Sequence, residues 1–211
     1  MEEISTSELF QIQKSIVERL RNEEPLLKKI AESQGSLVEK WQQFVAMILP
    51  IQLEVIEEAG FEGNQEGLSY FNELWMEAAA EEKELEDLNK EKWVFLFEKA
   101  FGLEEVKEIS LTRARSLVKE ITKEMLDEDF LELIEKEMSL LSHEAPMIQK
   151  RMTLLNLILP LHLRVMEEQG FKGDEGYVQA QRALTDYYSD PEIRASSTRA
   201  QLTVFRKAKL L

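Results

Sequence analysis

Sixteen residues occur twice in this chain, and that repetition limits its architecture more than any other feature. Ile48-Leu-Pro-Ile-Gln-Leu-Glu-Val-Ile-Glu-Glu-Ala-Gly-Phe-Glu-Gly63 runs without a gap against Ile158-Leu-Pro-Leu-His-Leu-Arg-Val-Met-Glu-Glu-Gln-Gly-Phe-Lys-Gly173, with ten of sixteen positions identical. Weaker echoes flank it: Glu66-Gly67 matches Glu175-Gly176, and Phe97, Lys99 and Ala100 match Phe205, Lys207 and Ala208. A repeat of this length marks one supersecondary unit used twice. The expected organisation is therefore a first module over residues 1–105 and a second over 106–211.

Each module reads as four helical stretches. The first spans Ser5–Arg21, with Ser110–Leu126 as its counterpart. Ser5-x-x-Glu8 offers a capping box, and Leu9, Ile12, Ile16 and Leu20 recur at helical spacing. The second is long and ends at Gly60 and Gly170. Pro50 and Pro160 fall inside it, where a missing N–H and a clash with the preceding turn predict a kink or a junction between two helices. Gly60-Phe61 and Gly170-Phe171 have the form of helix stops, in which glycine takes a left-handed position and the next apolar residue folds back on the helix. A third stretch begins near Glu66 and Glu175, each followed by a glycine, Gly67 and Gly176. A fourth runs to Phe101 in one copy and opens at Asp190-Pro191 in the other, an N-cap followed by proline at the first helical position. No segment alternates with period two for long enough to be a strand. The fold class is all-α: two tandem four-helix modules, packed as an intramolecular pseudo-dimer about a pseudo-twofold axis.

Residues that could do chemistry are sparse. There is no cysteine, which removes disulfides, thiolate nucleophiles and cysteine-bound zinc. The two histidines, His143 and His162, lie in different segments, and Gln52 stands where His162 does in the other copy. The glycine-containing loops 60–67 and 170–176 follow helices rather than strands and carry acids that repel phosphate, so neither fits a Walker or dinucleotide fingerprint. Their oxygen donors lack calcium-loop spacing. Glu57-Glu58 and Glu167-Glu168 are sequence neighbours that point about 100° apart on a helix and share no site. The expectation is no catalytic residue, no cofactor and no metal.

Charge separates the two modules. Residues 1–105 hold 24 acids and 10 bases, a net of −14, whereas 106–211 hold 17 and 16, a net of −1. Such a chain repels nucleic acid and anionic membrane surfaces. Its longest apolar run, 154–163, is far short of the roughly 20 residues a spanning helix needs. The acidic opening MEEISTSELF lacks the layout of a secretory signal, so a cytoplasmic protein is expected. Past Glu192 only bases remain: Arg194, Arg199, Arg206, Lys207 and Lys209. They read either as a solvated face that complements the helix dipole or as a docking helix for an acidic surface. Trp41, Trp75 and Trp93 all fall in the first module, where core burial is expected and an exposed indole would be a partner anchor.

Ile158-Leu159-Pro160, Val165, Gly170-Phe171, Asp174-x-Gly176 and Asp190-Pro191-Glu192-Ile193 occur in the order and near the spacing of a known pattern. Over about residues 108–206 the chain resembles the protein C-ten family of small acidic eukaryotic proteins. The first module keeps Leu49-Pro50, Gly60-Phe61 and Glu66-Gly67, but has the acidic run Glu81-Glu82-Lys83-Glu84-Leu85-Glu86-Asp87 in place of Asp-Pro-Glu-Ile. The resemblance implies a helical, non-catalytic subunit that binds other protein subunits. It points to the FERRY complex, a Rab-effector assembly on early endosomes linked to messenger RNA and ribosomes. Two other expectations stand beside it: a structural linker in a cytoskeletal or ciliary assembly, and a small-ligand or enzymatic helical protein with its site between helices.

Overall fold

The computed structural model describes residues 4–103, 105–142 and 144–211. Among the described residues it is all helix, with no strand. The chain divides into two compact units, Met1–Glu104 and Glu105–Leu211. The first contains α1 (Thr6–Asn22), α2 (Glu24–Glu32), α3 (Leu37–Glu58), α4 (Gln65–Glu81) and α5 (Lys83–Phe101). The second contains α6 (Leu111–Met125), α7 (Glu128–Ser139), α8 (Met147–Glu168), α9 (Gly173–Thr185) and α10 (Pro191–Lys207).

Among the described residues each unit has five helices rather than the four expected, because a short helix follows the first in each. Pro25 opens α2: it has no N–H to lose, and its fixed φ suits the first helical turn. In α7 the Asp127 carboxylate accepts from the N–H groups of Asp129 and Phe130, at 3.1 and 3.3 Å. These helices bury Leu27 and Ile30, and Ile134 and Met138, respectively.

The internal prolines do not divide their helices. α3 and α8 are each 22 residues long and run through Pro50 and Pro160. Both prolines are exposed. Apolar residues fore and aft hold the helix together: Phe44, Ile48, Leu49, Val55 and Ile56 are buried in α3, and Leu154, Leu159, Leu161, Val165 and Met166 in α8. Packing thus outweighs the lost hydrogen bond.

Both long helices end in the same closure. Gly60 and Gly170 have φ of 91° and 88°. The N–H of Phe61 donates to the Ile56 carbonyl at 3.0 Å, and that of Phe171 to the Met166 carbonyl at 2.9 Å. Each phenylalanine is buried, as is the residue whose carbonyl it caps, which is the Schellman arrangement with its hydrophobic contact. The chain then turns so tightly that a Cβ on Gly67 would lie 2.0 Å from the Glu62 carbonyl oxygen, and one on Gly176 2.5 Å from the Phe171 carbonyl carbon. No side chain fits at either position.

In the first unit α1 packs on α3, and α2 and α4 pack on α5. Around α3 and α5, Trp41 lies 5.3 Å from Phe44 and 4.8 Å from Phe101, centroid to centroid. In the second unit α10 packs on α6 and α7, and α8 on α6, α7 and α9. The Gln179 amide ties down the segment that leads into α6: its Oε1 accepts from the Lys107 N–H and its Nε2 donates to the Glu105 carbonyl, both at 2.9 Å. The Tyr187 hydroxyl donates to the Ile109 carbonyl at 2.5 Å.

Candidate functional site

Asp190 and Pro191 do more than begin a helix. The Asp190 carboxylate accepts from the N–H groups of Glu192 and Ile193, both at 3.2 Å, which caps α10. It also receives Arg115 of α6 in a two-pronged bridge, with Nε at 3.2 Å and an Nη at 2.7 Å. The Arg115 guanidinium, helped by the capping N–H groups, holds the Asp190 carboxyl below its usual range. Ile193 then enters the core, followed on the same helix by Ala200, Val204 and Phe205.

The five C-terminal bases do not form one surface. Arg199 and Arg206, two turns apart, share an exposed stripe of α10, and neither makes an ion pair among the described residues. Arg194 lies about 140° round the helix from Arg199. Lys207 pairs at the surface with Glu135 of α7, with Nζ–Oε2 at 2.9 Å. Lys209 lies beyond the helix end and has a φ of 53°. Only Arg199 and Arg206 therefore present a shared outward charge, because 3.6-residue periodicity scatters bases placed irregularly along a helix.

The acidic run of the first unit lies at the α4–α5 elbow. Glu81, Glu82, Glu84 and Asp87 are exposed there. Lys83 pairs with Asp87 and Lys90 with Glu86, both one turn apart along α5. The tryptophans divide by depth: Trp75 is buried, while Trp41 and Trp93 are half-buried. Leu26 of α2 and Val94 of α5 are exposed apolar residues of this unit.

His162 is half-buried and held at both nitrogens. Nε2 lies 3.3 Å from the Met125 sulfur, and Nδ1 lies 3.5 Å from Nε2 of Gln181. Gln181 also donates to the Tyr177 hydroxyl at 3.0 Å. With sulfur a weak acceptor and the Gln181 amide a donor, the imidazole carries its proton on Nε2. Burial pushes its pKa down to about 4, so it is neutral at pH 7. His143 lies outside the described residues. Among the described residues no group of three or more His, Asp or Glu is placed to hold a metal ion.

Residue-type reasoning missed several interior polar groups. Lys92 and Asn89 of α5 are buried, as are Arg182 and Thr185 of α9. Arg182 donates to Thr185 Oγ1 at 3.0 Å and to Asp186 at 2.8 Å, so its charge is balanced in place. Lys92 has no such partner. Its one sequence signal is position: Leu85, Asn89, Lys92 and Leu96 follow the spacing of a single buried stripe.

Residues 7–98 match the model of a protein family described as Protein C10. The match falls on the first unit, whose shared features are Leu49-Pro50, Gly60-Phe61 and Glu66-Gly67, whereas the sequence resemblance was carried by about residues 108–206. No curated protein and no solved structure matches the chain.

Proposed function

With residues 7–98 forming a Protein C10 family segment, we propose that the chain is a non-catalytic helical subunit that joins other proteins in a larger assembly. The family match is the observation that carries this reading. The assembly favoured is the endosomal Rab-effector (FERRY) complex implied by the sequence resemblance. Two surface features support a binding role. The first unit carries exposed acids at the α4–α5 elbow, and the second carries Arg199 and Arg206 on an outward stripe. Charged surfaces of opposite sign steer association and choose partners more than they add affinity. No helix among the described residues is long and apolar enough to cross a membrane, so recruitment to an endosome would run through partner proteins.

Affinity capture of the tagged full chain from native extract, with partners identified by mass spectrometry, tests the reading. Stoichiometric Rab-effector subunits are the expected result. Tubulin or axonemal proteins in their place would move the chain to a structural linker role in a cytoskeletal or ciliary assembly. Recovery of the chain alone, with a small molecule retained, would favour a ligand-binding protein. A double reversal, Arg199→Glu with Arg206→Glu, is expected to weaken partner capture at unchanged Tm.

A further inference from the structure

Two arginines of α10 have nothing to hold among the described residues. Arg19, Arg21, Arg115, Arg164 and Arg182 each pair with a carboxylate. Arg113 donates to the Gln169 carbonyl, Arg151 lies over the Phe205 ring, and Arg194 also has a partner. The guanidinium groups of Arg199 and Arg206 make no ion pair, hydrogen bond or ring contact among the described residues, and both residues are exposed. A guanidinium is weakly hydrated and presents a planar fork, which suits it to holding a carboxylate across an interface. α10 packs on α6 and α7 and buries Ile193, Ala200, Val204 and Phe205. Its outward stripe is Ala195, Arg199, half-buried Leu202 and Arg206, in steps of four, three and four residues.

A stripe of matching spacing lies on α4. That helix buries Leu68, Phe71, Trp75 and Ala79, while Glu66, Tyr70, Glu73 and Glu77 are exposed, again in steps of four, three and four. None of these three glutamates pairs with a base among the described residues. Tyr70 is 39% exposed. Alternating steps of three and four keep one helix stripe against a partner helix over successive turns. In antiparallel register, Arg206 meets Glu66, Leu202 meets Tyr70, Arg199 meets Glu73 and Ala195 meets Glu77. In parallel register Arg199 would meet Tyr70 and Leu202 would meet Glu73. Only the antiparallel direction places both guanidinium groups on carboxylates and the leucine on the ring. Net charge favours the same choice of faces: residues 1–105 carry −14 and would repel their own kind, whereas residues 106–211 carry only −1.

We infer that the chain self-associates, the exposed α4 stripe of one copy docking antiparallel on the Arg199–Arg206 stripe of a second copy. Exposed ion pairs add little each, so the contact is weak and reversible, and its selectivity lies in which charges meet. The two stripes differ, so the contact is heterologous. It uses an arginine stripe that the assembly role also invokes, but it needs no other protein.

Sedimentation equilibrium of the purified full-length chain tests the inference separately from capture of other subunits. The average mass is expected to rise above 24.6 kDa with concentration. A mass of 24.6 kDa at every concentration up to the solubility limit overturns self-association, whatever an extract yields. Arg199→Glu and Glu73→Arg are each expected to weaken association about tenfold, at an unchanged urea midpoint because both side chains are exposed and unpaired. The two reversals in one chain should restore it, because opposite charges again face each other. Arg199→Glu combined with Glu18→Arg, an exposed position on α1, should stay weak. Association that survives either single reversal, or a double reversal no tighter than the singles, overturns the register.

Discussion

With Gly67 set against Gly176, α4 and the α9 segment distribute the same aromatic bulk in opposite ways. The first unit has Leu68, Phe71, Trp75 and Ala79; the second has Tyr177, Ala180, Leu184 and Tyr188. Large residues sit in the middle of the stripe in one and at its ends in the other, and nearly all of them are buried. A parallel exchange occurs one helix later: with Phe97 set against Phe205, the position of Lys92 is taken by Ala200, which is 2% exposed. The loops before these helices share a Gly-Phe start and a glycine in the first turn of the next helix, but the first is one residue longer and only it has a side-chain cap, Asn64. A core accepts many fillings of one volume, whereas the positive φ at Gly60 and Gly170, and the lack of room for a Cβ at Gly67 and Gly176, each select glycine.

The largest expected effect breaks the compensation on one side only. Phe71→Ala leaves a mid-helix void under Trp75 and is expected to cost about 3–5 kcal/mol in urea unfolding. Ala180→Phe forces a ring into a filled site and is expected to cost about 1–3 kcal/mol. If Ala180→Phe proves neutral, the two cores are not alternative fillings of one volume. Next come the two close approaches. Gly67→Ala and Gly176→Ala should each cost on the order of 2 kcal/mol, with Gly67 the more sensitive because it meets a carbonyl oxygen at 2.0 Å. Tolerance of alanine at one position and not at the other would separate the loops that the sequence pairs.

The pH response separates the units further. The folded-state pKa of His162 is lowered to about 4 against an unfolded value near 6.5. Between those values the unfolded chain binds the extra proton, so the stabilisation is complete above about pH 6.5 and is lost as pH falls through 4. Half-burial discounts the effect to on the order of 2 kcal/mol. His162→Gln, which installs the residue found at Gln52, should flatten the urea midpoint between pH 6.5 and 4. An unchanged slope would place the acid sensitivity elsewhere. Smaller again, and equal in the two units, are Gly60→Ala and Gly170→Ala, at about 1 kcal/mol each for forcing a side chain into the left-handed region. Unequal costs would show that the two stops are held by different contacts.

Helix class and helix ends were readable because their causes are local. Ser5 and Glu8 form the capping box of α1 within four residues, and Asp190 caps α10 three residues before Ile193. The separate helices α2 and α7 have local signals too: Pro25 and Asp127 open them, and the Ser36/Glu39 capping box restarts the chain after α2. The fate of the prolines was unreadable for a tertiary reason: the packing of Phe44 through Ile56 decides whether Pro50 divides the helix. At the candidate surface, helical geometry separates Arg199 and Arg206 from Arg194, but only the position of α7 reveals that Lys207 is spent on Glu135. The exposure of Lys92's neighbours and its lack of an acid belong to the same tertiary level.

The smallest effect tests whether the C-terminal bases are there for stability or for contact. α10 closes as α3 and α8 do, with the Leu210 N–H donating to the Phe205 carbonyl at 2.9 Å and that of Lys209 to the Arg206 carbonyl at 3.1 Å. Yet the left-handed position is held by Lys209, the one non-glycine residue with positive φ among those described. A side chain there costs free energy that glycine avoids, although glycine adds entropy to the unfolded chain and returns part of the gain. Lys209→Gly is therefore expected to raise stability by roughly 0.5 kcal/mol, read as a higher urea midpoint at unchanged m-value. Strain retained where a better residue is available points to a use for the side chain. If Lys209→Gly raises the midpoint and weakens partner capture, the lysine is kept for contact, and the closure at α10 differs in purpose from those at Gly60 and Gly170. If it lowers the midpoint, attraction between Lys209 and Glu135 outweighs the strain, and the base belongs to the second unit's own packing.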